Sequence, residues 1–212
     1  MRKMDKRFKI KDPASALSHM IGALLSIAGL VILVNKASAE GSVRHIISFS
    51  IYGGSLILLY SASTIYHAVF GSEKMNRILR KIDHSMIYVL IAGTYTPLCL
   101  VALSGAWGWS LLGVVWGITA VGIVLKAIWI DIPRWLSTLV YVLMGWLVVI
   151  PIVPLVRSIT LSGLAWLGIG GLFYVIGAVI YGAKWPRIKS KIFGFHEIFH
   201  LFVLGGSISH FW

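Results

Sequence analysis

Long apolar runs constrain this chain more than any other feature. Stretches of roughly 18 or more apolar residues are long enough for a helix to cross the hydrocarbon core of a bilayer. Seven are legible, at about 17–35, 46–69, 84–103, 107–126, 136–155, 162–182 and 194–212. The connections between them are short, so no separate soluble domain fits. Residues 1–16 form a basic N-terminal segment and residues 17–212 a single membrane domain. The expected fold class is an all-α integral membrane protein with seven transmembrane helices. The composition agrees: 58% of the 212 residues are hydrophobic and 12% charged, against about 45–50% and 25% in ordinary soluble domains.

A net charge of +12 would suggest nucleic acid as the partner of a soluble protein. Here the distribution of charge explains it instead. Arg2, Lys3, Lys6, Arg7, Lys9 and Lys11 precede the first run. The second connection carries Lys74, Arg77, Arg80 and Lys81, the fourth Lys126 and Arg134, and the sixth Lys184, Arg187, Lys189 and Lys191. Of the 19 Lys and Arg residues, only Lys36, Arg44 and Arg157 fall on the other side. Lys and Arg flanking membrane spans are retained in the cytoplasm. The N-terminus is therefore expected inside and the C-terminus outside, in the cell membrane, with membrane lipids and no nucleic acid as partners.

A cleaved signal peptide is the weaker reading of the first run. Ala37-Ser38-Ala39 resembles a cleavage site, but the apolar stretch is too long and Lys36 interrupts the approach to it. The single cysteine, Cys99, excludes an intramolecular disulfide and reads as a small apolar packing residue. Gly53-Gly54 and Gly168 to Gly171 read as close helix contacts. Pro97, Pro151 and Pro154 fall within runs and are candidate kinks. Trp107, Trp109, Trp135, Trp166, Trp185 and Trp212 lie near run ends, as interfacial anchors do. There is no internal repeat.

Ionisable residues inside membrane spans are costly and mark functional sites. The predicted topology brings three groups of them to one cytoplasmic layer. Ser63 and His67 end the second run and share a helix face at i, i+4. Asp83 and His84 begin the third. His196 and His200 begin the seventh and again share a face. His67, His196 and His200 thus form a candidate three-histidine zinc site, which leaves the fourth position open for water, as in catalytic zinc. Asp83 is the candidate general base and Ser63 a donor to a developing oxyanion. The bland alternative for Asp83 is a helix N-cap. His19, His45, His84 and His210 read as interfacial polar groups, with His19 the least secure because it shares the cytoplasmic layer. "HEIFH" (His196 to His200) also matches a zinc-protease motif in which Glu197 would be the base. Glu197, however, is turned about 100° from the His196 face, so its match is read as incidental.

Three stretches, "SASTIYH" (Ser61 to His67), "KIDHSMIYVLIAGTYTP" (Lys81 to Pro97) and "HEIFHLFVLGGSISHF" (His196 to Phe211), resemble the hemolysin III proteins of bacteria, within the progestin and adipoQ receptor family. The resemblance covers essentially the whole chain. It implies seven helices, an intracellular N-terminus, and a zinc ion near the cytoplasmic face held by His67, His196 and His200, with Asp83 and Ser63 beside its water. Eukaryotic receptors of this kind, and the similar alkaline ceramidases, are associated with hydrolysis of ceramide-like lipid amides. The bacterial members are named for hemolysis and linked to membrane stress. The receptors carry an N-terminal cytoplasmic domain where this chain has a short basic segment, so a hormone-receptor role is not expected. Three functions follow as expectations. The first is a zinc-dependent hydrolase of lipid amides or esters. The others are a pore-forming cytolysin and a non-catalytic sensor with a structural metal. Neither substrate nor oligomeric state is legible in the sequence.

Overall fold

The computed structural model describes residues 10–39, 42–103, 105–188, 190 and 193–212, and every regular element among them is a helix. In chain order these are α1 (Pro13–Ala39), α2 (Val43–Ala68), α3 (Glu73–Pro97), α4 (Gly105–Ile128), α5 (Arg134–Trp146), α6 (Ile152–Ser158), α7 (Leu161–Ala183) and α8 (Phe195–Phe211). Each predicted run falls on a helix, but the spans are not equivalent. Among the described residues, five helical stretches are long and apolar enough to cross a membrane, and a sixth results if α5 and α6 count as one broken crossing bent by 62°. At 17 residues, α8 is about 25 Å long, short of a full hydrocarbon core.

The prolines account for the irregularities. Pro97 ends the regular part of α3, and the chain continues through a π-type turn, Leu98–Leu103. After α5 a 3-10 turn, Leu147–Val149, leads to Pro151, which takes the N-cap position of α6; Pro154 sits in that helix's first turn. Tyr95 occupies the break. Its hydroxyl donates toward the carbonyls of Gly145 (2.6 Å) and Met144 (3.0 Å) and accepts from the Val148 amide at 2.8 Å. Backbone groups freed inside a membrane must find such partners.

Two observations correct the predicted boundaries. The cations Lys74, Arg77, Arg80 and Lys81 are not in a loop but on the first turns of α3, which starts at Glu73 behind the N-cap Ser72. Helix-forming Glu, Lys, Arg, Met and Leu extend that helix beyond its apolar part. Asp83 consequently lies about 15 Å inside α3 and is not its cap. Lys126 is likewise no solvated loop cation: it is 2% exposed, and its ammonium donates to Ser137 Oγ at 2.6 Å, tying α4 to α5.

Small residues set the helix spacing. A Cβ on Gly22 would meet Tyr60 and Leu204 at 2.8 Å, which lets α1 lie close to α2 and α8. One core packs Tyr52, Leu56, Leu59, Tyr60, Leu90 and Val203 from α2, α3 and α8; a second packs residues of α3, α4, α5 and α6 with Cys99 and Leu103 of the π-type turn. Outward-facing residues are apolar instead of polar, for example Leu24, Val31, Val121, Ile128, Leu172 and Val179. That inverted surface is what lipid demands. All six tryptophans expected as anchors are exposed.

Candidate metal centre

The last turn of α2 and the first turns of α8 and α1 meet at one end of the bundle. His67 comes from α2, His196 and His200 from α8, and Ser15, Ser18 and His19 from α1. His67, His196 and His200 each offer a ligand nitrogen, and these lie within 4.8 Å of one another. No other such cluster of His, Cys, Asp or Glu occurs among the described residues. The Nε2 atoms of His67 and His196 stand 3.2 Å apart. A tetrahedral zinc with bonds near 2.0–2.1 Å separates two ligand nitrogens by about 3.3 Å, so this pair fits that ion.

The outward nitrogens of His67 and His200 are also accounted for. His67 Nδ1 donates to Asp12 Oδ2 at 3.0 Å. The Ser18 hydroxyl donates to the Ser15 carbonyl at 3.0 Å, which leaves its oxygen to accept from His200 Nδ1, at 3.4 Å. In both rings a proton on Nδ1 leaves Nε2 as a lone pair, the form a metal needs. The donor set therefore fits a divalent, nitrogen-preferring cation.

His19 departs from the interfacial reading. It is 3% exposed, stacks on His200 with ring centroids 3.6 Å apart, and meets Tyr60 edge-on at 5.0 Å. Both its ring nitrogens are buried without a hydrogen-bond partner among the described residues. His210 is also internal: Nε2 donates to the Leu167 carbonyl at 3.2 Å, in a notch where Gly170 has no side chain. His84 donates to the Arg80 carbonyl at 2.9 Å and lies 3.3 Å from Asp83 Oδ2.

Asp83 is not one of the clustered ligands, although its carboxylate is within electrostatic range of His67 and His19. Ser63 is buried one turn before His67, on the same face of α2. Glu197 is fully engaged elsewhere. Oε2 accepts the Gly194 amide at 2.8 Å and Oε1 accepts the Ser15 hydroxyl at 2.6 Å. It caps its own helix and pins α8 to α1, a role that Gly194-x-x-Glu197 signals as half of a capping box. Sequence reasoning missed Asp12. Its signal was faint: an acid in a basic segment, directly before the Pro13 that opens α1. Beside it, burial pushes the Lys11 ammonium below the usual lysine range, against the opposing pull of Asp12 and Asp83.

Fold and site together define a multi-pass helical membrane protein with an internal three-histidine cluster. The chain belongs to the haemolysin-III related family, whose profile matches residues 8–211. It is 40% identical to Hemolysin-3 of Bacillus cereus over 97% of this chain and 90% of that protein. It is 45% identical to the Hemolysin-3 homolog of Bacillus subtilis (strain 168) over 96% and 93%. A more distant relative, the adiponectin receptor protein of Drosophila melanogaster, is 23% identical over 92% of this chain and 48% of its own length. No solved structure matches.

Proposed function

We propose that this protein is a zinc-dependent membrane hydrolase of lipid amides or esters. In this reading α5 and α6 form one broken crossing and α8 is the seventh span, accommodated by tilt or local thinning of the bilayer. The N-terminus is cytoplasmic because the basic residues gather at that end. The observation that carries the proposal is the convergence of three imidazoles whose outward nitrogens on His67 and His200 are bonded, so that unprotonated nitrogens face inward.

When bound, zinc supplies a water that ionises near neutral pH and a Lewis acid for the scissile carbonyl. His67, His196 and His200 would hold the ion. Asp83, whose Oδ2 lies 3.3 Å from His84 Nδ1, receives the proton of the attacking water. Ser63 Oγ donates a hydrogen bond to the substrate carbonyl oxygen as negative charge builds there. Ser63, His67 and His200 are buried, Asp83 and His196 are half-buried, and the apolar outer surface of the bundle suits acyl chains arriving from the bilayer. The test is release of fatty acid from a panel of lipid amides and esters by purified, zinc-loaded protein. Activity in the wild type and none in His67→Ala supports the reading; no release by either sinks it.

The name Hemolysin-3, carried by the Bacillus cereus relative, favours a lytic alternative. It predicts that the purified protein releases dye, with a defined size cutoff, from vesicles of ether-linked lipid that cannot be hydrolysed. The hydrolase reading predicts no release from such vesicles.

A further inference from the structure

The end of α2 is finished by another part of the chain. A helix leaves its last carbonyls without intrahelical partners. At α2 the segment just before α1 supplies them. The Asp12 amide donates to the His67 carbonyl at 2.8 Å and the Lys11 amide to the Ala68 carbonyl at 3.3 Å. The Lys11 ammonium donates to the Tyr66 carbonyl and lies 3.7 Å over the Tyr66 ring. On its other side the strap is fixed by α1, since Pro13 begins that helix and the Ala16 amide donates to the Asp12 carbonyl at 2.9 Å. Asp12 is thus held from both directions, and its carboxylate falls 3.0 Å from His67 Nδ1.

We infer that Asp12 is a positioning residue for the metal centre, delivered to His67 by an N-terminal strap that caps α2. The inference rests on the metal reading of the three-histidine cluster. A carboxylate behind a ligating imidazole holds the proton on Nδ1, fixes the ring's orientation and makes Nε2 a better donor; losing such a partner weakens metal binding by about 10–100-fold. Asp12 performs two separable jobs. Its backbone caps α2, and its side chain orients His67. Replacing the side chain removes the second, together with a 3.9 Å ion pair to Lys11, and leaves the backbone cap in place.

The experiment measures zinc affinity of the full-length protein in detergent, by competition with a chromophoric chelator, alongside the melting temperature of the metal-free form. Asp12→Ala is expected to bind zinc about 10–100-fold more weakly, with the metal-free melt nearly unchanged. Asp12→Asn keeps an acceptor but loses the charge, so it falls between Ala and wild type and serves if Asp12→Ala fails to fold. The inference is overturned if Asp12→Ala binds zinc within about threefold of wild type, or if its weaker binding comes with an equally large loss of metal-free stability. A wild type that binds no zinc defeats the metal reading itself, and is distinguishable because no variant is needed to see it.

Discussion

Glu197 separates two accounts of the HEIFH stretch most cleanly. Each of its oxygens already accepts a hydrogen bond, from the Gly194 amide and the Ser15 hydroxyl, which ties the carboxylate to the cap of α8 and to α1. Glu197→Gln, which loses one of those acceptors, is expected to destabilise the fold by about 1–2 kcal/mol and to leave zinc affinity unchanged, as read by denaturation and chelator competition. Asp83→Asn should do the reverse: stability near wild type, with kcat lowered about 10²–10⁴-fold for loss of a general base. A variant set in which Glu197→Gln abolishes turnover and Asp83→Asn does not would restore the protease-like assignment. Much at this scale was legible. The i, i+4 pairs and the charge asymmetry were enough to select His67, His196 and His200. His19 was legible only as a histidine of the same cytoplasmic layer and Asp12 not at all, because both reach the site from a segment distant in sequence whose docking no periodicity reports.

The helix pairs that position the site depend on close approach. Gly93 of α3 faces α2, and an added Cβ would stand 2.1 Å from Ser55 Oγ and 2.6 Å from its Cβ. Gly93→Ala is therefore expected to cost about 1–3 kcal/mol through overpacking, measurable as a lower midpoint of unfolding. Tyr60 ties α2 to α8 by donating to Ser207 Oγ at 2.7 Å, which also meets Tyr174 Oη at 2.9 Å, and its ring supports His19. Helix existence could be read from apolar length alone, and the seven predicted runs coincide with helical segments. Their ends could not be read that way. A hydropathy run stops where lipid stops, whereas α3 continues into water on the strength of a Ser72 cap and good helix formers. The fifth run likewise hides a 62° break, because apolarity does not register a missing proline N–H.

At the scale of the whole molecule, orientation and metal linkage are the quantities to measure. Arg157 and Lys74 are exposed at opposite ends of the bundle, and the native Cys99 is buried. A membrane-impermeant maleimide added to intact cells should label Arg157→Cys and not Lys74→Cys; the opposite pattern would invert the topology. An ion bound only by the folded state stabilises it by about 2.7 kcal/mol at a hundred times its dissociation constant. For a chain of this size, chelation should lower the melting temperature by about 5–10 °C. In the proposed site α2 and α8 hold one zinc between three histidines, and metal analysis of the purified protein is the sharpest test of it. Close to one zinc per chain is expected in the wild type and almost none in His67→Ala, His196→Ala or His200→Ala. A metal-free wild type, or variants that keep their zinc, would contradict it.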